Sequence, residues 1–334
     1  MLALVLSTII TQSACRSRTS HGTLPTMLSD DEFWRLSTSL SEPAGVFAHS
    51  ENLVSNEPHF VHMIRVLRSS DGVYIGVGPE QNFSYIARLR PSMAFIVDIR
   101  QENRNLQLMY KALFEISTDR ADFLSRLFSR ERPSRLRQKA TVQDLFAAYA
   151  TAKAPRALRD ANVRLVRARL LDVHRLPLTS EDLGWIEHVL DAFHAAGPEI
   201  HYSSRSDPND SPGPSYRALM TAPDLGGHSR SYLASDEDFA FVKTLQSTNR
   251  IVPIVGDFGG PAAIRKLGDY IRQHEGSVTA FYASNVEVYL NRQKLGTFCG
   301  NLATLPYSSR TWFIGSKDMQ PFSTKLKSCS PAAR

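Results

Sequence analysis

The stretch VYIGVGPEQNFSYIARLRPSMAFIVDIR, residues Val73 to Arg100, decides the fold. It has the pattern of an apolar strand, a glycine turn, a helix and a second apolar strand that ends in an acid. Glycines at positions 76 and 78 permit a tight turn and a close approach of the backbone to a ligand. Asp98, twenty residues after Gly78, can accept hydrogen bonds from a ribose diol. The stretch therefore predicts a nucleoside-containing ligand, unless the glycines only turn the chain.

Other ligand and enzyme classes lose support from the sequence. Gln81 stands where the third glycine of a dinucleotide-binding turn would be, and Pro79 lies inside the turn, which disfavours nicotinamide and flavin cofactors. The chain contains no GxxxxGK[ST] run for a nucleoside triphosphate, no GxSxG and no HExxH. Its three cysteines include no CxxC pair and no zinc ligand set, so no metal site is predicted.

Apolar strands and helices continue to alternate in the second half of the chain. RIVPIVGDFGG and SVTAFYASNVEVYL have strand character, a helical segment separates them, and a later strand is RTWFIGS. This alternation predicts an α/β protein with a largely parallel sheet and helices on both faces. In such a sheet ligands bind at the carboxyl ends of the strands, so the strand ends are the places where site residues are expected.

Four of these strand ends carry glycine or polar residues in chain order, at 76–78, 98, 256–258 and 284–287. At this point the chain resembles class I S-adenosylmethionine-dependent methyltransferases over residues 55 to 110 and 250 to 315. It also resembles a group of uncharacterised bacterial proteins that share GVGPEQNF, AFIVDIR, VGDFGGP and SNVEVYL, some of which carry lipoprotein-like leaders. The resemblance implies a Rossmann-like sheet with a large helical insertion between its second and third strands.

The resemblance also implies roles for individual residues, with S-adenosylmethionine as the cofactor. Residues of the four strand ends would bind the cofactor, and these are Gly76, Gly78, Glu80, Asn82, Asp98, Asp257, Phe258, Ser284 and Asn285. Asn56 and Glu57 would close the pocket on the acceptor side. Glu287 is the expected catalytic base, with His59 or His62 as an alternative, although Glu287 also suits the first turn of a helix.

The domain layout follows from composition. Residues 1–28 are predicted to be a signal-like leader and tether, and residues 29–334 a methyltransferase-like domain. Within this domain, a helical basic insertion is expected at about 117–200 and a loop or lid at about 203–230.

From Arg120 to Arg175 there are fourteen basic and five acidic residues, so the excess of +9 exceeds the +6 of the whole chain. Such a surface would suit an anionic partner or a membrane, or would be a solvated helix face. The chain contains no specific nucleic-acid motif.

The N-terminal run LALVLSTII, followed by TQSAC, resembles a bacterial lipoprotein signal in which Cys15 would be lipidated. This predicts export and membrane anchoring; the alternative is a cytoplasmic protein. Cys299 and Cys329 would pair in an oxidising compartment or remain free thiols.

Two functions are therefore expected. One is an S-adenosylmethionine-binding, methyltransferase-like protein of unknown acceptor, and the other is a lipid-anchored envelope protein that uses the same fold for binding or scaffolding without catalysis.

Overall fold

The computed structural model describes residues 23–47, 51–134, 136, 139–202 and 213–329. The strands are β1 Val73–Gly76, β2 Met93–Asp98, β3 Ile251–Val255, β4 Val278–Ser284, β5 Tyr307–Gly315 and β6 Met319–Pro321. The helices are α1 Asp30–Leu40, α2 Phe60–Val66, α3 Gln81–Leu89, α4 Gln101–Ile116, α5 Arg120–Phe128, α6 Val142–Ala150, α7 Arg156–Ala168, α8 Ser180–Ala196, α9 Tyr216–Thr221, α10 Asp236–Ser247, α11 Ala263–Gln273, α12 Arg292–Leu302 and α13 Phe322–Ser328. A π-helical turn covers Arg169–Val173, and 3₁₀ turns cover Gly197–Glu199 and Val286–Tyr289.

The strands form one six-stranded sheet in the order β3-β2-β1-β4-β5-β6. The first five are parallel, and β6 pairs antiparallel with β5. Helices flank this sheet, so the predicted α/β class with a mostly parallel sheet is confirmed. The chain runs outward from β1 in both directions, first through β2 to β3 and then, after crossing back, through β4 to β5. Strand order therefore reverses between β1 and β4, which is where open α/β sheets form a crevice.

The apolar runs of the sequence form β1, β2 and β3, of which β1 and β2 lie inside the sheet and β3 at its edge. Every residue of these strands is buried, as expected for parallel strands that are covered on both faces. The first four residues of β5 are exposed, and only its second part enters the core. In β1, β2 and β3 the charged and glycine residues therefore lie only at or after the carboxyl end.

The chain between β2 and β3 contains α4 to α10, and α4 packs against both β2 and β3. Helix α8 is fastened to α4 through Asp182, whose Oδ1 accepts hydrogen bonds from Gln101 and Asn105, each of 2.8 Å. Burial alone would raise the pKa of Asp182. The backbone N–H of Thr179 and these two side chains outweigh burial and lower the pKa to about 2. A charged carboxylate thus anchors this helical segment to the sheet domain.

A second buried charge cluster is centred on Glu115 of α4. Its oxygens pair with Lys111 at 2.6 Å, with Arg169 at 2.6 Å and with the His174 ring at 2.6 Å. Burial would raise the pKa of Glu115, but the hydrogen bond from His174 and the charge of Lys111 lower it to about 2. His174 also contacts Asp30 at 2.7 Å, so the cluster links α1, α4 and the π-helical turn.

Two predicted boundaries are wrong. The strand predicted over SVTAFYASNVEVYL ends at Ser284, where φ is +52° and the chain turns into the 3₁₀ segment. The loop predicted at about 203–230 contains α9, because Ser215 caps its first turn and buried Tyr216 packs against Phe128 and Phe193. Residues 203–212 of that prediction lie outside the described residues, as do Cys15 and residues 1–22.

Candidate functional site

A cleft opens at the carboxyl ends of the central strands and has a cavity volume of about 240 Å³. Its walls come from the segment before α2 and from the ends of β1, β2, β3 and β4. The predicted site residues that line it are Asn56, Glu57, Gly78, Asp98, Asp257, Phe258, Ser284 and Asn285. Residues that are more than 200 positions apart in the chain thus meet at one cleft beside the β1/β4 switch point.

The glycine turn after β1 is held from inside by Asn82. The Asn82 side-chain amide donates hydrogen bonds to the carbonyls of Val77, Gly78 and Pro79 at 2.9, 3.2 and 2.7 Å. A Cβ atom on Gly76 would lie 2.0 Å from Asn82 Oδ1, so glycine is needed there to admit this side chain. Gly78 has φ +78°, a region that favours glycine. Gly76 and Asn82 therefore shape the turn rather than line the cleft.

Glu80 also lies beneath the turn, with no exposed surface. Its carboxylate accepts hydrogen bonds from the backbone N–H of Ser55 at 3.2 and 3.3 Å. Burial raises the pKa of Glu80 to about 7. Glu80 is not a lining residue, so its place in the site is to connect the glycine turn to the segment before α2.

Asp98 ends β2, lines the cleft and forms a bidentate ion pair with Arg100. Its Oδ1 accepts from the backbone N and from Nε of Arg100, and its Oδ2 accepts from Nη2, each at 3.0 Å. A carboxylate has about four acceptor positions, so Oδ2 retains room for one further donor. The Arg100 guanidinium neutralises the charge of Asp98 and itself lines the cleft. This pair can therefore accept a hydroxyl hydrogen bond without requiring a ligand cation.

Asp257 follows β3 and is also paired. Its Oδ2 contacts Lys294 Nζ at 2.6 Å, and its Oδ1 accepts from the backbone N–H of Gly259 at 2.8 Å. Phe258 is buried and stacks on Phe298 with a centroid distance of 6.1 Å. The end of β3 thus presents a neutralised acid beside an aromatic surface.

The backbone amides on both sides of Gly259-Gly260-Pro261, between β3 and α11, already have an acceptor within the chain. Glu42 Oε1 accepts hydrogen bonds from the backbone N–H groups of Ala262 and Ala263 at the start of α11, and Glu42 Oε2 accepts one from Asp257 N at 3.2 Å. A carboxylate of the chain therefore caps this helix.

Glu57, in the segment before α2, also lines the cleft and is 7% exposed. Its Oε2 accepts a hydrogen bond from the Tyr282 hydroxyl at 2.8 Å and one from Gln81 Nε2 at 3.4 Å, and its Oε1 accepts one from the Ser284 hydroxyl. Burial raises the pKa of the Glu57 carboxyl, and the hydrogen bonds from Ser284 and Tyr282 lower it by less. A carboxyl with a raised pKa at a cleft wall has the properties of a proton acceptor.

Glu287, the expected base, is placed elsewhere. It belongs to the 3₁₀ turn after β4, and its carboxylate pairs with Lys325 of α13. Neither Glu287 nor the alternative bases His59 and His62 line the cleft. Within the cleft, Glu57 is the carboxyl group best placed for that chemistry.

The mouth of the cleft is aromatic. Phe47 and Tyr289 pack edge to face with a centroid distance of 5.0 Å, and Tyr202 is a further aromatic lining residue. Asn285 Nδ2 lies 3.5 Å from the Tyr289 hydroxyl. Flat apolar surfaces at the entrance of a cleft suit the faces of a planar ligand.

Several lining residues were missed by the sequence analysis. Arg100 had a signal, because it stands two residues after Asp98 in AFIVDIR. Lys294 and Tyr282 had none, since a lysine in a helix and a tyrosine in an apolar strand fit ordinary surface and core positions. Their contacts with Asp257 and Glu57 depend on tertiary packing.

The basic segment is partly neutralised within the chain. Arg120 and Arg159 are buried, and each forms ion pairs, Arg120 with Asp236 and Arg159 with Asp191 and Glu187.

Among the described residues, no group of three or more His, Cys, Asp or Glu side chains is placed to hold a metal ion. In the same ranges, no helix is both long and apolar enough to cross a bilayer. An anionic or membrane partner for the basic segment stays a prediction.

Cys299 of α12 and Cys329 form a disulfide bond with a Cα–Cα distance of 5.4 Å. The bridge ties α12, which carries Lys294, to the end of the chain beyond α13. The sequence left open whether these cysteines form a disulfide or remain free thiols, and in the structure they form the disulfide.

Residues 52–187 and 214–327 match the family described as a domain of unknown function (DUF7790). These segments cover more than half of the chain, so the protein belongs to this family. They include the glycine turn, Asp98, Asp257, Glu57 and the end of β4. No curated protein matches the chain.

Proposed function

We propose that this protein binds S-adenosylmethionine in the cleft and is a methyltransferase-like protein whose acceptor is not identified. The observation that carries the proposal is that Gly78, Asp98, Asp257 and Ser284, each from a different strand end, line one cleft at the switch point. Parallel strands bring their carboxyl ends to one edge of the sheet in any case, so the support for binding is that the polar side chains of Asp98, Asp257 and Ser284 border an open cleft there.

The strand order supports the finer fold assignment. The order β3-β2-β1-β4-β5 with an antiparallel β6 fits the Rossmann-like arrangement of class I methyltransferases. In this proposal the chain from α4 to α10 is the helical insertion between the second and third strands. It would lie on the acceptor side and shape what can enter.

The chemistry of the walls suits an adenosyl group. Asp98 Oδ2 has one acceptor position left, which would take a ribose hydroxyl, and in this proposal Asp257 would accept a hydrogen bond from the adenine amine. Phe258, which follows Asp257 in the chain, also lines the cleft and would contact the base. The cofactor would supply an activated methyl group, so the protein needs alignment and exclusion of water more than a nucleophile of its own.

The proposal is tested by calorimetric titration of the full chain with S-adenosylmethionine and with S-adenosylhomocysteine. Asp98→Asn removes the charge of the acceptor while keeping its shape. A hydrogen bond to a charged group contributes about 1.5–3 kcal/mol, so the Kd should rise about tenfold to a hundredfold. Asp269→Asn, an exposed acid of α11 outside the cleft, is the matched control and should bind like the wild type. Absence of heat with the wild type would end the cofactor proposal.

A second function is favoured by the Cys299–Cys329 disulfide. Disulfides persist in oxidising compartments, so the bridge supports an exported protein, anchored through Cys15, that uses this fold for binding or scaffolding without catalysis. Mass spectrometry of the mature N-terminus separates the two locations. A diacylated Cys15 supports the envelope protein, and an unprocessed leader supports a cytoplasmic transferase.

A further inference from the structure

The three carboxylates of the cleft differ in their counter-charges. Asp98 pairs with Arg100 and Asp257 pairs with Lys294. None of the ion pairs in the described part of the chain includes Glu57, which is held by two hydroxyls and one amide. Glu57 is therefore the cleft carboxylate without an ion-pair partner among the described residues; the charge of His59 lowers its pKa, but less than the hydrogen bonds from Ser284 and Tyr282 do.

Leaving a buried carboxylate without a cation is costly, because burial disfavours the charged form. An apolar or amide side chain at position 57 would fill the same space without that cost. The hydroxyls of Tyr282 and Ser284 instead donate to both oxygens and favour the ionised form. The site is thus built to keep an acid at the wall of the cleft.

Ser284 adds an independent observation. It has φ +52°, a conformation that is uncommon for residues other than glycine, asparagine and aspartate, and the register between β4 and β5 shifts between Tyr282 and Ser284. This turn brings the Ser284 hydroxyl to Glu57. Backbone strain of this kind persists where the surrounding structure requires it, which is often at a ligand site.

We propose that Glu57, with the Tyr282 and Ser284 hydroxyls, is a subsite for a protonated amine of the second substrate. The inference rests on the proposed function, in which the adenosyl group occupies the wall formed by Gly78, Asp98 and Asp257. A ligand ammonium supplies the cation that Glu57 lacks, and it forms charge-assisted hydrogen bonds with the carboxylate. Phosphate and carboxylate groups are repelled there, so anionic acceptors are disfavoured at this wall.

The subsite is tested with n-butylamine, with n-butanol and butyrate as neutral and anionic probes of similar size. Binding to the full chain is measured by saturation-transfer difference NMR, with and without S-adenosylhomocysteine. We expect butylamine to bind the wild type at least about tenfold more tightly than it binds Glu57→Gln. Glu57→Asp, which keeps the charge, should retain most of the binding, and Asp269→Asn should bind like the wild type.

Three results would overturn the subsite: no binding of butylamine to the wild type, equal binding to Glu57→Gln, or butyrate binding as well as butylamine. Thermal unfolding of each variant shows whether it is folded. If Glu57→Gln does not fold, Tyr282→Phe, which removes one hydrogen-bond donor to Glu57, is used in its place. The S-adenosylhomocysteine titration separates the two proposals. If S-adenosylhomocysteine does not bind but butylamine still prefers the wild type to Glu57→Gln, only the cofactor proposal is refuted. If S-adenosylhomocysteine binds but butylamine does not, only the subsite is refuted.

Discussion

Gly76→Ala should be among the most damaging single-methyl changes in the chain. The added Cβ would lie 2.0 Å from Asn82 Oδ1 and 2.7 Å from the Tyr74 hydroxyl, both in the buried space under the glycine turn. Atoms do not approach a Cβ this closely, so Asn82 must move. The turn must then lose the hydrogen bonds from Asn82 Nδ2 to three consecutive carbonyls.

The magnitude follows from two costs. Overpacking a filled space costs about 1–3 kcal/mol, and each buried polar group left without a partner costs about 1–3 kcal/mol more. With at least one of the three carbonyls unsatisfied, the free energy of unfolding should fall by about 3–5 kcal/mol. That is a large fraction of the roughly 5–15 kcal/mol that stabilises a typical domain.

Gly184→Ala is the matched control. Gly184 is exposed in the middle of α8, and nothing lies within 4 Å of a Cβ built on it. Alanine is favoured over glycine in a helix by about 0.8–1 kcal/mol, so this variant should be slightly more stable than the wild type. Urea unfolding of the three proteins measures both differences. The reasoning about the turn is refuted if Gly76→Ala unfolds within about 0.5 kcal/mol of the wild type.

Three further results are expected. Because the folded-state pKa of Glu115, about 2, lies below its ordinary value of 4.5, its contribution to stability is complete above about pH 4.5 and is lost as the pH falls towards 2; urea unfolding at several pH values should show this decline, and a flat profile would contradict it. Reduction of the Cys299–Cys329 bridge, which closes a separation of 30 residues, should cost about 3–4 kcal/mol by chain entropy; a Cys299→Ser variant should then be insensitive to dithiothreitol. Glu42→Ala removes the acceptor at the start of α11 and should cost about 1–2 kcal/mol in urea unfolding; no loss of stability would mean that water replaces this cap.

The sequence predicted the strand ends well because the signals there are local. Apolar runs set β1 to β4, and each run stops at a glycine or polar residue, so the gathering of Gly78, Asp98, Asp257 and Ser284 followed from parallel strand order alone. The predicted end at 284–287 agrees with Ser284, but strand character was also assigned as far as Leu290 because NVEVYL continues the alternation of apolar residues. Nothing local indicated that Ser284 would take a positive φ.

Counter-charges could not be predicted in the same way. The partner of Glu287 is Lys325, 38 residues further along the chain, and the ion pairs of Arg159 reach Glu187 and Asp191 in another helix. A net charge counted along the sequence therefore overstated how much of the basic segment is free to meet an anion. Ion pairs between residues that are distant in the chain depend on how the helices pack, so they cannot be predicted from amino-acid composition.

The distribution of these counter-charges divides the cleft into two chemical halves. Where Asp98 and Asp257 are neutralised by Arg100 and Lys294, the wall offers hydrogen-bond acceptors at no net charge, which suits the hydroxyl and amine groups of a neutral nucleoside. Glu57 accepts from hydroxyl and amide donors and has no ion pair among the described residues, so the proposed subsite for a cation lies there. Burial of a carboxylate without an ion pair is costly, and this cost is the reason that the proposed ammonium subsite is placed at Glu57.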